Sequence, residues 1–263
     1  MPNASASPDF ISRFAPIVAT HRGTFLKDDM LSALTLHAED NISVVWAPFD
    51  HIPASARVVV VGITPGAAQA ENALAAFRSA LQAGLSPSEA SRLAKLKGSF
   101  SGPLRNNLVA MLDHVGAHRL LGVASCAKVF DPASELAHFT STLRYPVFVG
   151  GENYNGDPGM LRTPVLRRMV ETHLAAEARA LPDAVWLPLG PKALAAAHHL
   201  VRLGALDRDQ ILEGLPHPSG ANGERIAYFL GRKAETALSA KTRPAPIDAA
   251  RQVLRAQLTR LAA

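Results

Sequence analysis

The sequence predicts an α/β fold in three layers, with helices on both faces of a central four-stranded parallel sheet. Three observations predict it. RVVVVGI (residues 57–63) is a continuous β-branched run, which suits a strand buried on both faces. FTSTL (139–143), AVWLPL (184–189) and ILEGL (211–215) are further short runs of strand character. Segments with apolar residues at helical spacing separate these runs, and strands alternating with helices make parallel sheets.

Taken in order, SPDFISRFAPIVATHR opens with Ser7 as N-cap and Pro8 in the first turn, and gathers Phe10, Ile11, Phe14, Ile17 and Val18 on one helical face. A short strand is expected at 42–46, then the central strand at 57–63. GAAQAENALAAFRSALQAG continues as a helix to Gly84, and the Ser86 to Glu89 spacing of a capping box starts the next, which runs to about Lys97. PLRNNLVAMLDHVG repeats Leu104, Leu108, Met111, Leu112 and Val115 as a third helix. The loop GGENYNGDPGM (150–160) is too rich in Gly, Asn and Pro to be regular. Helices follow at 165–180, 191–203 and 222–230, and PAPIDAARQVLRAQLTRLAA forms a last amphipathic helix. No linker or repeat interrupts the chain, so a single domain over residues 1–263 is expected, its core at about 40–235.

Composition narrows the function classes. The N-terminus has neither the basic start nor the apolar stretch of a secretion signal, and no eighteen apolar residues run together, so a cytoplasmic protein without membrane contact is expected. One cysteine, Cys126, cannot form an internal disulfide or supply the thiolates of an iron-sulfur cluster. No histidine spacing fits a metal site, and His198 and His199 are adjacent on a helix, so neither metal nor cofactor is expected. The net charge is +5, and the region from Gly223 onward holds eight Lys or Arg against Glu224, Glu235 and Asp248. The whole excess therefore sits at the C-terminal end, where a phosphate-rich partner would find it.

Two loops carry the chemistry. In an open parallel sheet, ligands bind beyond the carboxyl ends of the strands. GITPG (Gly62, Ile63, Thr64, Pro65, Gly66) follows the central strand, and its glycines allow close backbone approach to a flat ligand. HPSG (His217, Pro218, Ser219, Gly220) follows the last strand, so both loops belong to the same edge.

Their order, separation and composition resemble the two active-site motifs of the uracil-DNA glycosylase superfamily, the first of the type GINPG or GEAPG and the second of the type HPSP. SFSGPLRNNLVAMLDHVG is similar to the segment that supplies a base-stacking aromatic, which would be Phe100. FTSTLRYP is similar to the strand that reads the base edge, with Ser141 at the matching position and Thr140 and Thr142 beside it. The resemblance covers roughly residues 40–235. It implies that a deaminated base, such as uracil, is turned out of DNA into the pocket and its N-glycosidic bond hydrolysed. His217 would stabilise the departing base, Thr64 would hold the water, and Gly62, Ile63, Pro65, Gly66, Phe100 and Ser141 would form the base pocket. Ser219, Gly220, Asn222 and Arg225 would meet phosphates of single-stranded or lesion-containing DNA, with the protein acting as a monomer.

Three departures from the family accompany the resemblance. Thr64 stands where well-known members have Asp or Asn, and its hydroxyl cannot take a proton near neutral pH. Ser141 stands for an asparagine whose amide discriminates bases better; Asn153 or Asn155 offers a substitute. The cysteines of the cluster-bearing members are missing. The alternative is a weak or inactive protein that keeps the pocket to bind nucleic acid or a nucleotide.

Overall fold

A computed structural model describes residues 9–262. Helix α1 (Phe10–Thr20) is capped by Asp9, whose Oδ1 accepts from the Ser12 N–H at 3.0 Å; Ser7 and Pro8, expected to open this helix, lie outside the described residues. After α2 (Asp28–Leu34) come β1 (Thr35–Glu39), β2 (Ile42–Val45) and β3 (Val58–Gly62). Helices α3 (Ala67–Gln82), α4 (Pro87–Gly98), α5 (Pro103–Val115) and α6 (Ala117–Leu121) follow, with Ser86 Oγ accepting from the Glu89 N–H at 3.3 Å at the start of α4. The chain continues through β4 (Ala137–Ser141), β5 (Val147–Val149), β6 (Glu152–Asn153), α7 (Pro164–Met169), a π-helical turn (Val170–Leu174) and α8 (Ala175–Ala180). Strand β7 (Val185–Pro188) and helices α9 (Pro191–Arg202), α10 (Gly223–Phe229) and α11 (Pro244–Ala262) complete it. No helix among the described residues is long and apolar enough to cross a membrane.

These elements group into two compact units, and the chain passes from one to the other five times. The first contains the segment through His51, Gly66–Gly98 and Tyr145–Asn153. Its sheet is antiparallel, in the order β1-β2-β5-β6, so the strand anticipated at 42–46 belongs here and not with the parallel strands. The loop anticipated at 150–160 likewise contributes β6 to it. Trp46 anchors the core, stacked on Phe14 with centroids 4.7 Å apart and meeting the edge of Phe77 at 5.7 Å. Glu71 fastens the chain before α2, accepting from the backbone N–H groups of Phe25 at 3.0 and 3.1 Å and Leu26 at 2.7 Å.

The second unit contains Ile52–Pro65, Ser99–Arg144 and the segment from Tyr154 onward, and it is built on a parallel sheet of three strands, β4-β3-β7. All five residues of β3 are buried, as the valine run requires of a central strand. Val58 pairs with Ala137 on one side and Val185 on the other, so the three carboxyl ends emerge along one edge. The expected fourth strand at 211–215 is cut to a single parallel bridge between Ile211 and Trp186, extended by the Leu212 N–H donating to Trp186 O at 2.8 Å. Gly214 at φ +108° turns the chain out of extended geometry, and Pro216 offers no N–H to a ladder.

Alternation along β4 divides its chemistry between two faces. Phe139 and Ser141 point one way, His138 and Thr140 the other. His138 Nε2 lies 3.0 Å from Glu177 Oε2, and Arg144 Nε donates to Glu177 Oε1 at 2.7 Å, all three side chains buried. The Arg144 Nη2 donates to His173 O at 3.3 Å. Burial, reinforced by the Arg144 charge, pushes the His173 imidazole down to about 4.

A histidine whose folded pKa lies below its unfolded value keeps its full contribution above the unfolded value and loses it as pH falls towards the folded one. His173 therefore costs stability between roughly pH 6.5 and 4, by about 3 kcal/mol at the lower end. Urea unfolding of wild type and His173→Phe at pH 7 and pH 4 checks this: the variant should lose less stability across the interval, and equal losses would refute it.

Candidate functional site

The first loop is pinned at its root by the sheet. Gly62 O accepts from the Thr142 N–H at 2.9 Å, and Ile63 O accepts from the Leu143 N–H at 2.9 Å and the Thr142 hydroxyl at 2.6 Å. A Cβ on Gly62 would lie 3.4 Å from Ser141 Oγ and 3.7 Å from Phe100 Cζ, so the missing side chain is what lets the ring and the hydroxyl close over the strand end. Thr64 is half-buried, with its hydroxyl 3.5 Å from Pro65 O, and Pro65 is buried. Gly66 belongs with the first unit, where its N–H donates to Gln69 Oε1 at 3.0 Å at the start of α3.

Phe100 is held in an unusual way. Its φ of +48° lies in the left-handed region, which costs a non-glycine residue about 1–3 kcal/mol and persists only where the surroundings enforce it. Those surroundings are aromatic. Phe100 meets Phe139 edge-on at 5.9 Å, Phe139 stacks on Phe130 at 4.4 Å, and the Arg105 guanidinium covers Phe130 at 4.3 Å. The Phe100 ring, expected from the sequence to stack on a base, is therefore held by a chain of π contacts.

Of the three hydroxyls on or beside β4, Ser141 is the one at Gly62. Thr142 is committed to Ile63 O, and Thr140 faces the opposite side of the strand. The two asparagines considered as substitutes are also committed: Asn153 Oδ1 accepts from the Ala67 N–H at 2.8 Å within the first unit, and Asn155 Oδ1 accepts from the Asp157 N–H at 3.2 Å.

His217 follows the segment that bridges to β7. Its Cβ lies 3.9 Å from the position a Cβ would take on Gly190, the residue that ends the β7 turn at φ +85° and caps α9. The Ser219 N–H donates to His217 Nδ1 at 3.3 Å, and Asn222 Nδ2 donates to His217 O at 3.2 Å. From α5, Asn107 Nδ2 donates to Pro218 O at 2.9 Å. Burial holds the His217 pKa below the ordinary histidine value. The ring is therefore neutral at neutral pH. Because Nδ1 accepts, the proton resides on Nε2, which makes that atom a donor.

The site residues thus form two clusters on one sheet edge, Gly62 with Phe100 and Ser141, and His217 with Ser219 and Asn222. Asn222, expected at a phosphate, spends its amide on the His217 loop.

No family model and no solved structure matches the chain. Over 242 residues it is 32% identical to the uncharacterized protein YoxB of Bacillus subtilis (strain 168), a match that covers 90% of this chain and 94% of that protein. The chain belongs to the YoxB family. What the match leaves out is smaller than either compact unit, so kinship with YoxB extends over residues of both.

In this YoxB-family protein, two residues beside the candidate site, Asn107 and Gly190, escaped sequence reasoning. Asn107 sits inside a regular helix and gives no local sign that it reaches the His217 loop. Gly190 does give one, since Gly-Pro at a strand-to-helix junction marks a turn. Lys241 and Arg243 lie outside the resemblance, yet they line one cavity with Arg225. Among the described residues no group of three or more His, Cys, Asp or Glu is arranged to hold a metal ion. Cys126 is buried, and that burial pushes its thiol well above the ordinary range, away from nucleophilic use.

Proposed function

We propose that this protein hydrolyses the N-glycosidic bond of uracil or another deaminated base in DNA, as a cluster-free relative of the uracil-DNA glycosylases. The observation that carries the proposal is the neutral His217, with Nδ1 occupied by Ser219 and Nε2 left as a donor at the strand edge. Cleavage leaves positive charge on the sugar and negative charge on the base, so an N–H donor fixed at the base oxygen lowers the barrier without losing its own proton. The flipped base would lie against Phe100, with Gly62 beneath and Ser141 at its edge. Water attacks C1′ as the glycosidic bond breaks, its hydroxyl staying on the sugar and its proton going to solvent, while the base anion takes up a proton after release. Thr64 orients that water. On this reading the single parallel bridge between Ile211 and Trp186 is the remnant of a fourth parallel strand.

Thr64 also supports a second reading, a nucleic-acid- or nucleotide-binding protein without excision, since a threonine is no base. One assay separates the two. Oligonucleotides carrying uracil, hypoxanthine or xanthine, single-stranded and mispaired, are incubated with the protein and then treated with alkali. Strand breaks support excision; binding without breaks supports the second reading. In the excising case, Thr64→Asp is expected to raise the single-turnover rate by about 100-fold, the low end for a positioned general base. An unchanged or lower rate would remove Thr64 from the water site.

A further inference from the structure

Beside His217 lies a cavity of about 400 Å³, within the range that small-molecule sites occupy. Its floor is apolar, with Pro188, Leu194, Pro216 and Ile247, and its rim carries Arg225, Lys241 and Arg243. The cavity adjoins the site already described, because Pro216 precedes His217 in the chain and the lining residue Gly190 approaches the His217 Cβ.

The three cations are exposed, and among the described residues none forms an ion pair. Neighbouring residues arrange them. Glu224, next to Arg225 on α10, accepts from the hydroxyls of Thr242 at 2.5 Å and Ser239 at 2.6 Å and from Lys233 at 2.7 Å. Thr242 is buried where it meets Glu224, so the residues flanking it, Lys241 and Arg243, are brought to the same rim as Arg225. Elsewhere in this region Lys233 pairs with Glu224, Arg251 pairs with Asp248 at 2.5 Å, and Arg255 donates to His114 Nε2 at 2.8 Å. Three of the eight C-terminal cations thus share one rim, while Lys233 and Arg251 are paired with acids.

We infer that this cavity is a phosphate-binding subsite that takes backbone phosphates of the strand entering the His217 site, with an adjoining base against the proline floor. The assignment rests on the nucleic-acid reading of His217 but makes its own demand. Each phosphate of a single strand that the protein ceases to neutralise lowers the slope of log K against log salt by about 0.7.

The experiment measures anisotropy of a labelled thymidine oligonucleotide between about 50 and 200 mM salt. In the triple variant Arg225→Gln, Lys241→Gln, Arg243→Gln the slope should fall by about 2 and the affinity at least 10-fold. Thr242→Val, which removes no charge, should weaken binding in the same direction, and Arg225→Lys with Arg243→Lys should restore the slope. An unchanged slope in the triple variant, with its thermal melting point kept, overturns the assignment. Displacement by free thymidine monophosphate far more readily than by inorganic phosphate, and equally well in a His217→Ala background, would give the cavity to a free nucleotide and overturn the strand assignment. Excision that persists with an unaltered slope removes the cavity alone; a lowered slope without any excision in the wild type keeps the cavity and removes the glycosylase reading.

Discussion

Replacing His217 with alanine is expected to slow base excision by about 100- to 1000-fold, the usual cost of removing one fixed donor to a developing anion. Nothing else in its cluster can substitute, since the Ser219 N–H is directed at the His217 ring itself and Asn222 is bound to the loop. The loss should appear in the single-turnover rate at saturating substrate, with oligonucleotide affinity little changed, because the donor matters most once charge has moved to the base. His217→Gln, which keeps an N–H donor of different reach, should recover part of the loss. The pH profile adds a second check. Burial holds His217 below the ordinary histidine pKa, so the rate should stay level through neutrality and decline only on the acid side of that value. Protonation would place a second hydrogen on Nδ1, against the Ser219 N–H, and disturb the loop. Full activity in the alanine variant would remove His217 from the chemistry.

Glu177→Gln is expected to destabilise the protein by about 3–5 kcal/mol, the range found when one member of a buried ion pair is removed. The carboxylate meets His138 and Arg144 in the interior, so the change removes the negative charge that faces the buried Arg144 guanidinium. Against a total stability of about 5–15 kcal/mol for a typical domain, such a change can unfold much of the population. The midpoint of urea unfolding should drop with the slope unchanged. Replacing His138, Arg144 and Glu177 together by apolar residues of similar volume should cost far less than the single change, since no charge is then stranded. If Glu177→Gln leaves the midpoint where it was, the cluster has no part in holding β4 to the helices behind it.

The elements most legible in the sequence were those whose burial is written into consecutive residues. Val58 to Val61 could only be a strand covered on both faces, and Ala73, Leu74 and Phe77 could only face a core. Pairing is different, because it depends on residues far apart. Val147–Val149 is too short to announce itself between Pro146 and Gly150, so the antiparallel sheet it completes with Ile42–Val45 could not be foreseen. The fourth parallel strand is cut short for a local reason, the turn at Gly214, whose conformation only coordinates reveal. At the proposed site, His217, Gly62 and Phe100 could be put forward from the sequence because turn chemistry and motif spacing are linear features. The left-handed backbone of Phe100 and the reach of Asn107 were not, since both are imposed by neighbours remote in the chain.

The repeated passage of the backbone between the two units has an evolutionary corollary. Any single recombination breakpoint after Ile52 and before Asn153 divides both of them, so neither can be shuffled onto another gene as a contiguous cassette. Lineages carrying this architecture would have to inherit the pair together.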